Sequence, residues 1–114
     1  MDERVKILAH NLVNYSMKVQ KNNKVYIHYI GESTQDLAKL IVKEVYLAGG
    51  IPFPHYTDQT VQRETLLHCT EEQMTLMAQI DAAEMDQMDC YVGVRGTDNI
   101  SELANVPSEK MALY

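Results

Sequence analysis

Arg95 and Asn99 stand four residues apart just past an apolar run, residues 90–94, inside the stretch DCYVGVRGTDN. An apolar β-run that ends in glycine and polar side chains is how an α/β sheet delivers functional groups to the carboxyl edge of its strands. A guanidinium and an amide held there can grip a carboxylate or a peptide group, which makes Arg95 and Asn99 candidates for a substrate cavity or for an interface with another domain. Each also has a purely structural use: Arg95 can pair with a nearby Asp or Glu, and Asn99 can cap a turn.

The other reactive side chains do not assemble into a catalytic pattern. The four histidines, His10, His28, His55 and His68, never take the HxxH or HExxH spacing of a metal site. Glu64 and His68 are spaced for a surface ion pair on a helix. His28 shares a strand face with Tyr26 and Ile30 and reads as a satisfied core imidazole. The acids Asp81, Glu84, Asp86 and Asp89 lack the order of a calcium loop and read as a solvated helix face. The turn Gly31-Glu32-Ser33-Thr34 has one glycine where a dinucleotide fingerprint has three, and Glu32 would repel a phosphate. Cys69 and Cys90 have no base beside them, and no nucleophile elbow occurs. On this reading no catalytic residue and no metal ligand is assigned.

The elements that must position Arg95 and Asn99 can be read in order. Val5, Leu8, Leu12, Tyr15 and Val19 step by three and four, the stripe of an amphipathic helix, with Asp2 and Glu3 at its positive end. Residues 25–30 (VYIHYI) are almost continuously apolar, β-branched or aromatic, as a strand covered on both faces should be. Gly31 ends that strand, and Ser33 or Thr34 caps a helix whose buried stripe is Leu37, Leu40, Ile41, Val45 and Ala48, with Ser33 and Asp36 as a capping-box variant. Gly49-Gly50 stops it, because glycine accepts the left-handed conformation after a helix.

In residues 51–56 (IPFPHY), Pro52 and Pro54 remove N–H donors on one side only, so this strand belongs at a sheet edge. A short helix follows Asp58 and ends near Cys69. Thr70-Glu71-Glu72-Gln73 is a capping box that opens another, in which Met74, Leu76, Met77, Ile80, Met85 and Met88 read as adaptable core packing. The predicted order is α-β-α-β-α-α-β: an α/β fold with a small three-stranded, mainly parallel sheet in the order 2-1-3, flanked by helices on both faces. Pro107-Ser108-Glu109-Lys110 has the form of a helix start with only Met111 to Tyr114 behind it. The expected division is therefore an N-terminal α/β domain over residues 1–106, with residues 107–114 leading into a missing C-terminal domain.

Composition narrows the function classes. A chain of 114 residues bounds the protein to one modest core. A formal charge of −6 makes nucleic acid an unsuitable partner, since phosphate neutralisation needs clustered Lys and Arg. No apolar run approaches the ~18 residues of a membrane span, and Met1-Asp2-Glu3-Arg4 is not a signal-peptide leader, so a cytoplasmic chain without a membrane partner is expected. Two cysteines without CxxC spacing are expected to be reduced and buried.

The opening helix DERVKILAHNLVNYSMKVQ, the junction KEVYLAGGIPF, the TEEQ helix start and above all YVGVRGTDNISELANVPSEK resemble the N-terminal domain of the thermophilic metallopeptidase family of bacterial aminopeptidases, the aminopeptidase T and aminopeptidase S group. Gly93, Arg95, Gly96, Asn99 and the Glu102-Leu103 pair carry the most specific part. The resemblance implies a cytoplasmic exopeptidase that removes N-terminal residues from peptides. It also implies two divalent metal ions, zinc or cobalt, in a C-terminal catalytic domain, and a homodimer when full-length. That family's metal ligands lie beyond these residues, so none transfers to this chain. The alternative from another class is a stand-alone flavodoxin- or receiver-like α/β binding module. A receiver, however, would want clustered carboxylates where this chain has Gly31 and Glu32 alone.

Overall fold

The computed structural model describes residues 2–96 and 99–102. The elements run α1 (Glu3–Asn11), a π-helical turn (Leu12–Ser16), β1 (Lys24–Ile30), a 3₁₀ turn (Glu32–Thr34), α2 (Gln35–Leu47), β2 (Ile51–Thr57), α3 (Gln59–His68), α4 (Glu71–Met85), β3 (Cys90–Arg95) and β4 (Asn99–Glu102). The sheet order is β2-β1-β3-β4, so the three parallel strands take the expected order 2-1-3. A short antiparallel strand, β4, adds to β3, with Arg95 opposite Asn99. Thr97 and Asp98 lie outside the described residues. So do residues 107–114, where a helix start and a domain boundary were expected.

Each strand sits where its residues allow. β2, with Pro52 and Pro54, pairs with β1 alone and forms the edge. β1 is paired on both sides, and Val25 and Ile27 are fully buried. Asp89 clasps the start of the sheet: its N–H donates to the Lys24 carbonyl (2.8 Å), while its Oδ2 accepts from the Lys24 N–H (2.8 Å).

The main core lies on one face of the sheet, where Val25, Ile27, Cys90, Val92 and Val94 meet Ala9, Leu12, Val13, Ile41 and Val45. The first helix reaches this core differently from its expected stripe. Ala9, Val13 and Met17 are buried with Leu12 and Val19, whereas Leu8 and Tyr15 face solvent. The π-helical turn supplies the reason, because an i→i+5 turn moves the buried positions off the 3.6-residue period. The entry to α2 also departs from expectation. No side chain caps it; a 3₁₀ turn leads in, and the buried Thr34 donates its hydroxyl to the Gly31 carbonyl (2.7 Å).

The end of α2 follows its glycines. Gly49 takes φ +87, its N–H donates to the Tyr46 carbonyl (3.0 Å), and the Gly50 N–H reaches back to Val45 (2.9 Å), which is a Schellman motif. A Cβ on Gly50 would meet Val19 Cγ1 at 2.7 Å, Val45 Cγ1 at 2.9 Å and the Asn23 carbonyl at 3.2 Å. Both valines are buried and stiff about χ1, so neither can swing away. The substitution Gly50→Ala is therefore expected to destabilise the chain by about 1–3 kcal/mol, each kcal/mol lowering Tm by about 4–8 °C. A urea or thermal denaturation curve unchanged from wild type would contradict this packing.

Candidate functional site

Successive residues of a strand point to opposite faces, so the side chains opposite the main core come from Tyr26, His28 and Ile30 on β1, His55 and Thr57 on β2, and Tyr91 and Arg95 on β3. Between Tyr91 and Arg95 the same face carries Gly93, paired with His28, where no side chain stands over the sheet. Helices α3 and α4 cover this face incompletely. Neither has a fully buried residue, and a cleft of about 520 Å³ remains between them and the strands. Gln59 and Gln62 of α3 and Met74, Met77, Asp81 and Met85 of α4 line it, facing Tyr26, His28, Tyr91 and Arg95.

The helices themselves start from local signals. Asp58 caps α3 by accepting from the N–H groups of Thr60 (2.8 Å) and Val61 (3.2 Å), and its side chain also takes the Thr60 hydroxyl. These bonds, the hydroxyl's first, hold the Asp58 carboxyl below its ordinary pKa. Thr70 caps α4 by accepting from the Gln73 N–H (3.1 Å), as the capping box predicts. The apolar residues of α4 do not form one stripe: Met85 and Met88 pack on Tyr26 and Tyr91, while Met74, Leu76 and Ile80 remain at least half exposed. The expected core packing is thus limited to Met85 at the end of this helix and Met88 just beyond it, with Met77 half-buried in the cleft wall.

The cleft floor is aromatic. The Tyr26 ring stacks between His55 (centroids 4.8 Å apart, planes at 23°) and Tyr91 (5.3 Å, 14°), so three rings cross three strands. His55 Nε2 lies 2.7 Å from Glu84 Oε2 and ties the edge strand to α4, and His28 Nε2 shares a 2.7 Å hydrogen bond with Thr57 Oγ1. Burial, then the charge of Glu84, drives the Tyr26 hydroxyl well above the ordinary tyrosine range, so it stays protonated. Burial also lowers the His28 imidazole below 6.5, with Arg95 and His55 adding to the effect and Asp81 opposing it. His28 is therefore a neutral group standing in the fields of a cation and an anion.

Of the two residues singled out by sequence, Arg95 lines this cleft and Asn99 lies on β4 opposite it. The acidic group divides in the folded chain. Asp81 lines the cleft, Glu84 holds His55 and Asp89 clasps β1; Asp81, Asp86 and Asp89 are exposed, so the solvated-face reading holds for these three and fails only for the half-buried Glu84. Glu64 and His68 do form an exposed ion pair at 3.5 Å. Cys69 and Cys90 are both free thiols, Cys69 half-buried and Cys90 buried, and burial raises the Cys90 pKa. Sequence reading missed Tyr26, His55, Tyr91, Asp81 and the two glutamines as site residues. The Tyr-x-His alternation in β1 was the available signal, but the strand register that adds His55 and Tyr91 is a tertiary fact.

The architecture defines an α/β domain built on a short parallel sheet with an antiparallel strand at one edge. The family model for thermophilic metalloprotease (M29) matches residues 1–114, and the chain belongs to that family. Among solved structures, wild-type AmpT from Thermus thermophilus shares the fold, with a TM-score of 0.62 at 20% identity over 82% of this chain. The chain spans 25% of that structure's length. No curated protein matches it.

The family implies a divalent metal cofactor. Among the described residues no group of three or more His, Cys, Asp or Glu could hold a metal ion, so these residues do not fit one. Among them, too, no helix is long and apolar enough to cross a membrane.

The lowered pKa of His28 has a consequence for stability. Between its folded value and 6.5 the unfolded chain takes up a proton that the folded chain refuses. Stability linked to His28 is complete above pH 6.5 and declines as pH falls through that interval. The variant His28→Gln, which keeps a partner for Thr57, should lose less of its Tm than wild type on going from neutral pH to below the folded value; parallel losses in thermal melts would refute it.

Proposed function

We propose that this chain is the N-terminal α/β domain of a cytoplasmic metallo-aminopeptidase that removes N-terminal residues from peptides. In this reading the larger C-terminal domain holds two divalent metal ions, zinc or cobalt, and carries the hydrolytic chemistry. The family match along residues 1–114 is the observation that supports it most. The fold shared with a quarter of the AmpT structure agrees with a domain-sized share of such an enzyme.

The outer surfaces of α3 and α4 support the reading from another side. Val61, Leu66 and Leu67 of α3 and Leu76 and Ile80 of α4 are each more than half exposed, and exposed apolar side chains that adjoin one another mark docking surfaces. In the proposed enzyme this area docks against the C-terminal domain or the second subunit of a homodimer. Arg95 and Asn99 face the substrate cavity or that domain junction and act as contacts. Nucleic acid and membrane play no part.

The test is made on the protein encoded by the whole natural reading frame. The full-length protein should cleave leucine p-nitroanilide, lose that activity on dialysis against a chelator and regain it with cobalt or zinc. The 114-residue chain alone should not cleave it with either metal. Metal-independent or absent activity in the full-length protein would overturn the function, and turnover by the short chain would overturn the division of labour. Arg95→Ala in the full-length protein should lower kcat/KM severalfold or lower Tm; unchanged kinetics together with unchanged melting would remove Arg95 from the junction and the cavity.

A further inference from the structure

We infer that Met85 and Met88 form an oxidation-sensitive latch on helix α4: a hydroperoxide converts their thioethers to sulfoxides, and the helix then lifts from the sheet, swinging on residues 87–89. The inference goes beyond the peptidase reading and does not rest on it, because it concerns only groups of this chain and requires no metal.

The attachment of α4 comes first. None of its residues is fully buried, and Met74, Leu76 and Ile80 are at least half exposed, so most of its length adds little to the hold on the sheet. Two contacts fasten its C-terminal end. Met85 and Met88 pack on the buried pair Tyr26 and Tyr91, where polarisable sulfur meets aromatic rings, and Glu84 Oε2 lies 2.7 Å from His55 Nε2. A single turn brings the two methionines to the same rings, with the Met88 N–H donating to the Met85 carbonyl (3.0 Å).

Accessibility selects these sulfurs. Met85 and Met88 are partly exposed, whereas Met17 in the main core is 3% exposed and shielded. In the reaction the thioether sulfur attacks the peroxide; an S–O bond forms, the O–O bond breaks, and the second oxygen leaves as water. Sulfur loses the two electrons that the peroxide gains. The sulfoxide is polar and no longer suits an apolar contact, so holding its oxygen against the two rings costs solvation that outward movement of α4 restores. The Glu84 and His55 side chains are both open to solvent, and a contact of this kind holds weakly alone.

The pivot is fixed by what oxidation leaves untouched. Asp89 stays clasped to Lys24 through two 2.8 Å hydrogen bonds, so β3 keeps its register while α4 opens. Met74 and Met77 line the cleft outside the contact with the aromatic pair, and their oxidation releases nothing.

The test treats the 114-residue chain with hydrogen peroxide, following each methionine by peptide mass spectrometry and the α4 amides by hydrogen exchange. Gain of one oxygen at Met85 and at Met88 should make the α4 amides exchange about tenfold faster or more, while those of β1 and β3 keep their protection. Methionine sulfoxide reductases for both epimers should restore the slow exchange. The volume-conserving double variant Met85→Leu/Met88→Leu should keep slow exchange at the same dose, although Met74, Met77 and Cys69 are open to oxidation in both chains. The proposal is overturned if Met85 and Met88 stay intact at a dose that oxidises Met74, or if both are oxidised with α4 exchange unchanged. Fast exchange that persists after both sulfoxides are reduced, or equal acceleration in the double variant, would overturn it too. If the variant does not fold, the three outcomes on the wild-type chain decide.

Discussion

The alternation of side chains along β1 is the constraint on which the rest of the structure depends. A strand paired on both sides must send its odd and even residues to opposite faces, and β1 divides its chemistry accordingly. Val25 and Ile27 go to one face and become fully buried; Tyr26 and His28 go to the other and line a cleft. A one-residue slip of β1 would put a histidine and a tyrosine into the apolar core and two aliphatic side chains into the cleft. The register is protected at its start by the double hydrogen bond between Lys24 and Asp89 and by the edge position of the proline-bearing β2.

The two faces are packed to different degrees for a physical reason. On the first, α1 and α2 meet the sheet with small and branched residues such as Ala9, Val13, Ile41 and Val45, all fully buried, and His10 Nδ1 lies 3.2 Å from Glu44 Oε1 between the two helices. On the second, α4 carries apolar side chains on all its faces. It anchors through Met85 and Met88 at one end and through the Glu84–His55 contact, which leaves its outer side chains exposed. The same looseness yields both the cleft inside and the apolar surface outside. Elements with few buried contacts are also the ones that open most readily, which singles out these two helices.

Membership of the metalloprotease family and the metal-binding capacity of these residues are separate matters. The family match runs the length of the chain, yet each of the four histidines is engaged in a pairwise contact: His55 with Glu84, His68 with Glu64, His10 with Glu44, and His28 with a threonine. Pairs of this kind fasten elements together. A metal centre needs three or more such groups converging on one point.

By itself the sequence determined the elements whose causes are local. Two prolines placed β2 at an edge, the Gly49-Gly50 pair ended α2 in a Schellman motif, and Thr70 with Gln73 opened α4, because each acts through its own backbone within a few residues. The motif around Arg95 likewise carried the family. Only the tertiary structure decided the rest. The π-helical turn moved Leu8 and Tyr15 out of the expected core, α4 had no single apolar stripe to predict its buried side, and β4 added a strand through pairing alone. The cleft belongs wholly to that second class. Tyr26, His28, Tyr91, Asp81 and Arg95 are spread over seventy positions, and only the parallel register of the strands, with α4 beside them, sets them around one space.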